Sequence, residues 1–170
     1  MSGAIQHAQR RGDRAKNLVG FHVGDVFYAV QILRVREIIN PLQTVRLPQS
    51  PKVIVGVADH RGEVVPVLDL RTRFGLERVA NTRRTKWVIV GVNGRSVGLV
   101  VDAVTDVFGT GPESERAVPQ LGSGDEARGI ASVYMYERQL VFVIDVDRVA
   151  SAAEEIDVEL AAQILGGATK

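Results

Sequence analysis

The chain has no cysteine. That excludes a disulfide framework and any thiolate metal site, and it fits a reducing compartment. Charge of one sign is also missing: 21 Lys and Arg face 20 Asp and Glu, a formal net charge of +1, so no whole-protein field favours nucleic acid or a membrane surface. No window approaches the roughly 18 apolar residues needed to span a bilayer, and the N-terminus carries no apolar signal core. The expectation is a cytoplasmic protein. His7, His22 and His60 lack the HExxH spacing of a metal site, and no GxxxxGK[ST] phosphate loop occurs. No cofactor is therefore expected. Aromatic residues make up only 5%, too few for the stacking platform that a single-stranded nucleic acid uses.

What remains is apolar and β-branched. Hydrophobic residues are 45% of the 170, with valine dominant, a mix tilted towards strands. The stretch from Gly56 to Arg71 organises the rest. Gly56-Val57-Ala58 and Val64-Val65-Pro66-Val67-Leu68 are two strand arms, and Arg61-Gly62 between them reads as a tight hairpin turn in which glycine supplies a positive φ. Pro66 lacks an N–H for a ladder, so its strand is expected at an edge or a bulge. The polar residues Asp59, His60, Arg61 and Glu63 are then displayed on a rigid ribbon.

Taken in order, residues 1–17 read as a flexible basic tail. Leu18–Val23 and Val26–Val30 are strands around Gly24-Asp25. Gln31 to Ile39 is ambiguous between a helical turn and a strand, and Asn40-Pro41 ends it. Pro51 is a position from which a short helix through Val55 could open. Residues 71–84 are polar and basic with no readable strand, which marks a lobe boundary. Trp87–Val92 and Ser96–Val101 flank Asn93-Gly94, the strongest hairpin signal in the chain, and Val104–Phe108 continues as a strand. Residues 109–128 read as a long exposed loop, and two further strands run from Ile130 and from Gln139. From Ser151 a helix is expected to Gly166, with a Ser151/Glu154 capping box and Ala153, Ile156, Leu160 and Ile164 on one face.

The second half repeats the first. Gly24–Ile38 runs alongside Gly94–Phe108 with one gap, placing Val35 over Val104, Glu37 over Asp106 and Ile38 over Val107; Val67-Leu68-Asp69-Leu70 lies over Val143-Ile144-Asp145-Val146. The fold expected is mostly β: two similar lobes of about five short strands, at about 24–80 and 86–150, each closing into a small barrel, with a C-terminal helix over 151–166.

These residues resemble the CheW-type coupling proteins of bacterial chemotaxis. The resemblance rests on Tyr28-Ala-Val-Gln-Ile-Leu-Arg-Val-Arg-Glu-Ile38, Gly56-Val57 with Arg61-Gly62, Val65-Pro-Val-Leu-Asp-Leu-Arg71, and Val97-Gly-Leu-Val-Val-Asp102 followed by Asp106-Val107, in that order over about 18–150. It implies two packed SH3-like barrels, no catalysis, and an adaptor between a chemoreceptor's cytoplasmic signalling tip and the regulatory domain of a CheA-type histidine kinase. It implies receptor contacts at Val35, Gly98 and Val107, for which core packing is the competing role. It also implies coupling or kinase contacts at Glu37, Gly56, Arg61 and Gly62, with Glu37 and Arg61 as an ion pair. Two positions depart from the pattern: His60, where the family is usually aliphatic, and the bulky Tyr134-Met135-Tyr136-Glu137.

Two other classes compete with this reading. An enzyme would have to use Asp69, Asp102, Asp106 and Asp145 with His22 or His60, but Asp69 and Asp145 sit at equivalent strand ends, as structural hydrogen-bonding residues would. A small-barrel nucleic-acid-binding protein would lean on Arg71, Arg73, Arg78, Arg83, Arg84 and Lys86.

Overall fold

The computed structural model describes residues 17–118 and 129–168. The expected tail (residues 1–16 of it) and residues 119–128 of the expected loop lie outside them. Among the described residues there are eleven strands: β1 (Leu18–Val23), β2 (Val26–Gln31), β3 (Val35–Ile39), β4 (Ile54–His60), β5 (Glu63–Asp69), β6 (Lys86–Val92), β7 (Arg95–Val101), β8 (Ala103–Phe108), β9 (Glu115–Arg116), β10 (Ile130–Tyr136) and β11 (Gln139–Ile144). The helices are α1 (Leu70–Arg73), α2 (Val146–Val149) and α3 (Val158–Ala168).

The strands form two sheets, ordered β8-β1-β2-β11-β10-β9 and β3-β6-β7-β5-β4. The protein is mostly β, as the sequence indicates, with SH3-like lobes of five principal strands each and the two-residue β9 added to one. The sheets cut across the expected division at 24–80 and 86–150. The hairpin β1–β2 joins the strands of the second half, and β6–β7 joins those of the first. Each half therefore lends its first hairpin to the other half's sheet.

The repeat survives this exchange down to its irregularities. β3 skips Arg36 against β6, between Val35 and Glu37; β8 skips Thr105 against β1 in the same way. β4 skips Val55 against β5, and β10 skips Ala131 against β11. Paired bulges at matching places kink and twist both sheets alike. The pairings also correct the register at the first turn. Gly24 matches Asn93, not Gly94, because Val23 faces Val26 just as Val92 faces Arg95, and no gap is needed.

Three apolar clusters follow from the alternation of side chains. Leu18, Phe27, Ala29, Phe108, Val141 and Val143 fill the first barrel. Ala58, Val65, Val67, Trp87 and Ile89 fill the second. Between the sheets lies the largest cluster, with Val19, Phe21, Leu68, Val88, Val90 and Leu99 at its centre and Val149, Ile156 and Ala161 closing it from the C-terminal segment. Burial of this kind contributes about 25 cal/mol per Å² of apolar surface, so the shared layer welds the lobes together.

Several local expectations fall to tertiary demands. Pro66 is on β5, an interior strand flanked by β7 and β4. Its partner Val57 spends both backbone groups on Val45, so the nitrogen of Pro66 faces β7, where the parallel ladder begins only at Val67. No donor is missed there. Pro51 opens no helix; it closes a turn through Ile54 N to its carbonyl at 3.0 Å. The Gln31–Ile39 ambiguity resolves as both forms, a single 3-10 turn at Ile32–Arg34 and then β3. The capping box is not made. Ser151–Glu155 is a 3-10 helix without a side-chain cap, Glu154 Oε1 instead accepts from Asn93 Nδ2 at 2.7 Å, and α3 starts at Val158. Asp157 Oδ1 caps it through Leu160 N at 3.1 Å, Leu160 itself is exposed, and the helix passes Gly166 to Ala168.

Candidate interaction surfaces

The hairpin β4–β5 turns through Arg61 (φ 53°) and Gly62 (φ 82°), the primed geometry that suits twisted strands. Asp59 Oδ1 braces it by accepting from Gly62 N at 2.8 Å. The turn leans against β3, an edge strand. There Arg61 Nη2 donates to Glu37 Oε1 at 3.0 Å, so the expected ion pair forms. Sequence reasoning missed the third member: His60 Nε2 donates to Glu37 Oε2 at 2.9 Å. A carboxylate only accepts, so this contact fixes the proton on Nε2. The bond from His60 is the largest reason Glu37 titrates below the ordinary carboxylate range; partial burial opposes it and the Arg61 charge adds to it. His60, the departure from the family pattern, thus completes a triad.

Gly56 holds the same hairpin from behind. Its φ is +157°, and a Cβ there would lie 2.5 Å from the Val45 carbonyl oxygen. That oxygen belongs to the short bridge in which Val45 and Val57 exchange both backbone bonds. Glycine is required by close approach. Gly62 is different: its positive φ is strained for other residues, but a Cβ would meet open space.

The repeat puts a second version of this tip on β8, the edge of the other sheet. Tyr136 ends β10 as His60 ends β4, since Tyr136 faces Gln139 just as His60 faces Glu63. Glu137 (φ 46°) and Arg138 (φ 66°) take the places of Arg61 and Gly62. Asp106 matches Glu37, and Tyr136 Oη donates to Asp106 Oδ2 at 3.2 Å. The Tyr136 ring stacks on Phe108 with centroids 4.0 Å apart. Burial first, then the neighbouring carboxylates of Glu137 and Asp106, push the Tyr136 phenol above its ordinary range. Two features mark the difference between the tips. The cation of the first is an acid in the second, and among the described residues no cation pairs with Asp106 or Glu137. Sequence alignment of the repeat had matched Glu37 to Asp106 and could have reached Tyr136 by extending the match past the turn.

The three expected receptor contacts differ in burial. Val107 is 41% exposed on the β8 edge, beside Asp106. Val35 is half-buried against the layer between the sheets. Gly98 is buried in the middle of its sheet, facing Ile89, Trp87 and Val65, where a Cβ would find ordinary contact distances of 3.4–3.7 Å. Leu33, in the 3-10 turn before β3, was not singled out, yet it is 94% exposed. The turn that carries it is rigid: Arg34 bonds Gly91 O at 2.9 Å and Asp147 at 2.6 Å.

The residues on which other functions would depend are occupied elsewhere. Asp69 and Asp145 cap α1 and α2 through Arg71 N and Arg148 N, the structural role their repeat positions suggest. Arg71 grips Asp102 (Nε to Oδ1 2.9 Å, Nη2 to Oδ2 2.9 Å), whose Oδ2 also accepts from Gly24 N. Arg73 donates to Val149 O, Arg78 to Lys52 O at 2.6 Å, and Lys86 to Asn40 Oδ1 at 2.6 Å. Four of the six basic residues of the nucleic-acid reading are struts of the fold. No group of three His, Asp or Glu suited to a metal occurs among the described residues, and no helix there is long and apolar enough to cross a membrane.

Known proteins share this fold. The model of the CheW-like domain family matches residues 17–154. The probable chemotaxis protein CheW of Rhizobium etli is 30% identical over 154 residues, covering 91% of this chain and 97% of its own length. Protein FrzA of Myxococcus xanthus is 39% identical over 108 residues, covering 63% of this chain and 66% of its own. The crystal structure of the scaffolding protein TtCheW from Thermoanaerobacter tengcongensis superposes with a TM-score of 0.70 at 26% identity, covering 78% of this chain and 85% of that one. The chain belongs to the CheW-like family.

Proposed function

We propose that this protein is a non-enzymatic scaffold of a chemosensory pathway, joining a receptor's cytoplasmic signalling tip to the regulatory domain of a CheA-type histidine kinase at cytoplasmic receptor arrays. The observation that carries the reading is the pair of tips. One rigid body presents two exposed edges, β3 and β8, on different sheets and with opposite chemistry. Glu37, Arg61 and Gly62, held by Gly56, make a closed polar tip suited to packing against another barrel, and we assign the kinase to it. Val107 on β8 offers an apolar side chain at an edge, which suits an amphipathic helix, and we assign the receptor to that side. Val35, half-buried on β3, and Gly98, buried in the same sheet, support the first of these edges.

The mechanism is positional. Holding receptor and kinase on one scaffold makes their encounter effectively intramolecular, and repetition in an array adds avidity without tight single contacts. Receptor states that bind the assembly differently then bias kinase activity.

Val107→Lys tests the assignment. Interface energy concentrates in a few central contacts, and a lysine placed in a desolvated contact is left unpaired. Affinity for a receptor-tip fragment is expected to fall about tenfold or more, with kinase-fragment affinity and the melting temperature nearly unchanged because Val107 is exposed. Equal losses to both partners, or a melting drop of many degrees, would contradict it.

A further inference from the structure

At the first tip the chain supplies its own cation: Arg61 lies 3.0 Å from Glu37. At the second, the equivalent turn position holds Glu137, and the carboxylates of Asp106 and Glu137 both act on the same Tyr136 phenol. Asp106 is already oriented on both oxygens, Oδ1 by Val107 N at 2.8 Å and Oδ2 by Tyr136 Oη at 3.2 Å. Each oxygen keeps a lone pair towards solvent, because Asp106, Glu137 and their neighbour Thr105 are all exposed. Arg138 stands next in the turn but makes no ion pair with either. The site sits on an unpartnered sheet edge, with Val107 on the opposite face of the same strand. A segment laid along that edge reaches the acid pair and the valine together.

We propose that the β8 edge docks a receptor-tip segment carrying an arginine or lysine next to an apolar side chain, that Asp106 and Glu137 receive the cation in the place Arg61 fills at the first tip, and that Tyr136 positions Asp106 for it. This rests on the assignment of the receptor to Val107. The occupant is chosen by charge complementarity: a pre-oriented Asp106, with Glu137 in the adjoining turn and an apolar residue beside it, selects a positive partner and rejects an acidic one. The first tip, neutralised from within, makes no such demand. Selection by charge also gives the two edges a means of sorting their partners.

The test is titration of the full chain and its variants against a soluble helical-hairpin fragment of a methyl-accepting receptor's tip, and separately against a kinase regulatory-domain fragment. Glu137→Arg copies the first tip, and the fold accepts arginine there, since Arg61 holds the same left-handed conformation. Receptor affinity is expected to fall about tenfold with Glu137→Arg, and the loss of affinity on raising salt from low to physiological strength is expected to flatten. Tyr136→Phe is expected to cost about threefold, and Asp106→Asn to match Glu137→Arg in its salt behaviour. Kinase affinity should not move. If Val107→Lys weakens receptor binding while Glu137→Arg and Asp106→Asn do not, the cation inference is overturned and the receptor assignment stands. If none of the three matters, the receptor assignment itself is overturned. A variant that melts early is replaced by Glu137→Gln, for which a smaller loss of the same sign supports the proposal and no loss overturns it.

Discussion

The two tips share a backbone and differ in ending. Glu37 on β3 is closed by His60 and Arg61; Asp106 on β8 is tied by Tyr136 and faced by Glu137. Bulges, register and turn conformation match, so the difference is one of side chains alone. A duplicated scaffold can thus hold one edge self-neutralised and leave the other charged. Binding two partners without confusing them needs such a difference, because specificity is a difference of affinities.

The comparison is most sharply broken at its backbone. Gly56 corresponds to Ser132, Gly56 facing Val67 as Ser132 faces Val143. Gly56→Ala drives a methyl onto the Val45 carbonyl oxygen and is expected to cost about 1–3 kcal/mol, read as a lower urea midpoint. Ser132→Ala, at the matching place, is expected to cost under about 1 kcal/mol. Comparable losses would mean the Val45 approach is not what requires glycine. Gly62→Ala should fall between, at about 1 kcal/mol, since the turn has room and Arg138 already tolerates that conformation.

Charge comes next. Arg61→Glu sets two acids against each other and is expected to lower kinase-fragment affinity about tenfold. Adding Glu37→Arg restores the pair in reverse, but places a guanidinium against His60. Recovery is therefore expected to be partial, and fuller when His60→Gln is added. A charge swap that restores nothing in either background would show Glu37 and Arg61 to act independently.

The smallest effect is in acid. Because Glu37 titrates below its ordinary value of about 4.5 when folded, its contribution to stability is present above that value and is lost as pH falls through the lower folded value. His60→Leu removes the largest cause, so the part of the acid-side loss that Glu37 carries should be smaller, and complete at a higher pH, than in the parent chain. Tyr136 runs the opposite way. Its phenol is raised, so its contribution is present below the ordinary tyrosine value of about 10 and is lost as pH rises through the folded one. Tyr136→Phe should leave the acid limb unchanged.

The strands, the turns and the repeat were legible because side-chain alternation and turn glycines act locally. Arg61 and Glu37 could be named from family pattern, and Gly56 from backbone need. The exchange of hairpins between halves was not legible: β2 meets β11 in parallel only after long loops close, and no local pattern reports such a pairing. Pro66 misled for a similar reason, since whether its missing donor matters depends on where the β7 ladder starts. The Ser151/Glu154 signature met a competitor in Asn93, and tertiary contact won. His60 and Tyr136 looked like departures from a pattern; only the folded repeat shows that they do the same work on equivalent carboxylates.

Titration of Arg61→Glu and Glu137→Arg against separate receptor-tip and kinase fragments bears most directly on the division of labour between the tips. The predicted result is a crossed pattern, with Arg61→Glu losing the kinase and keeping the receptor and Glu137→Arg doing the reverse. Both variants losing the same partner to the same extent would contradict it.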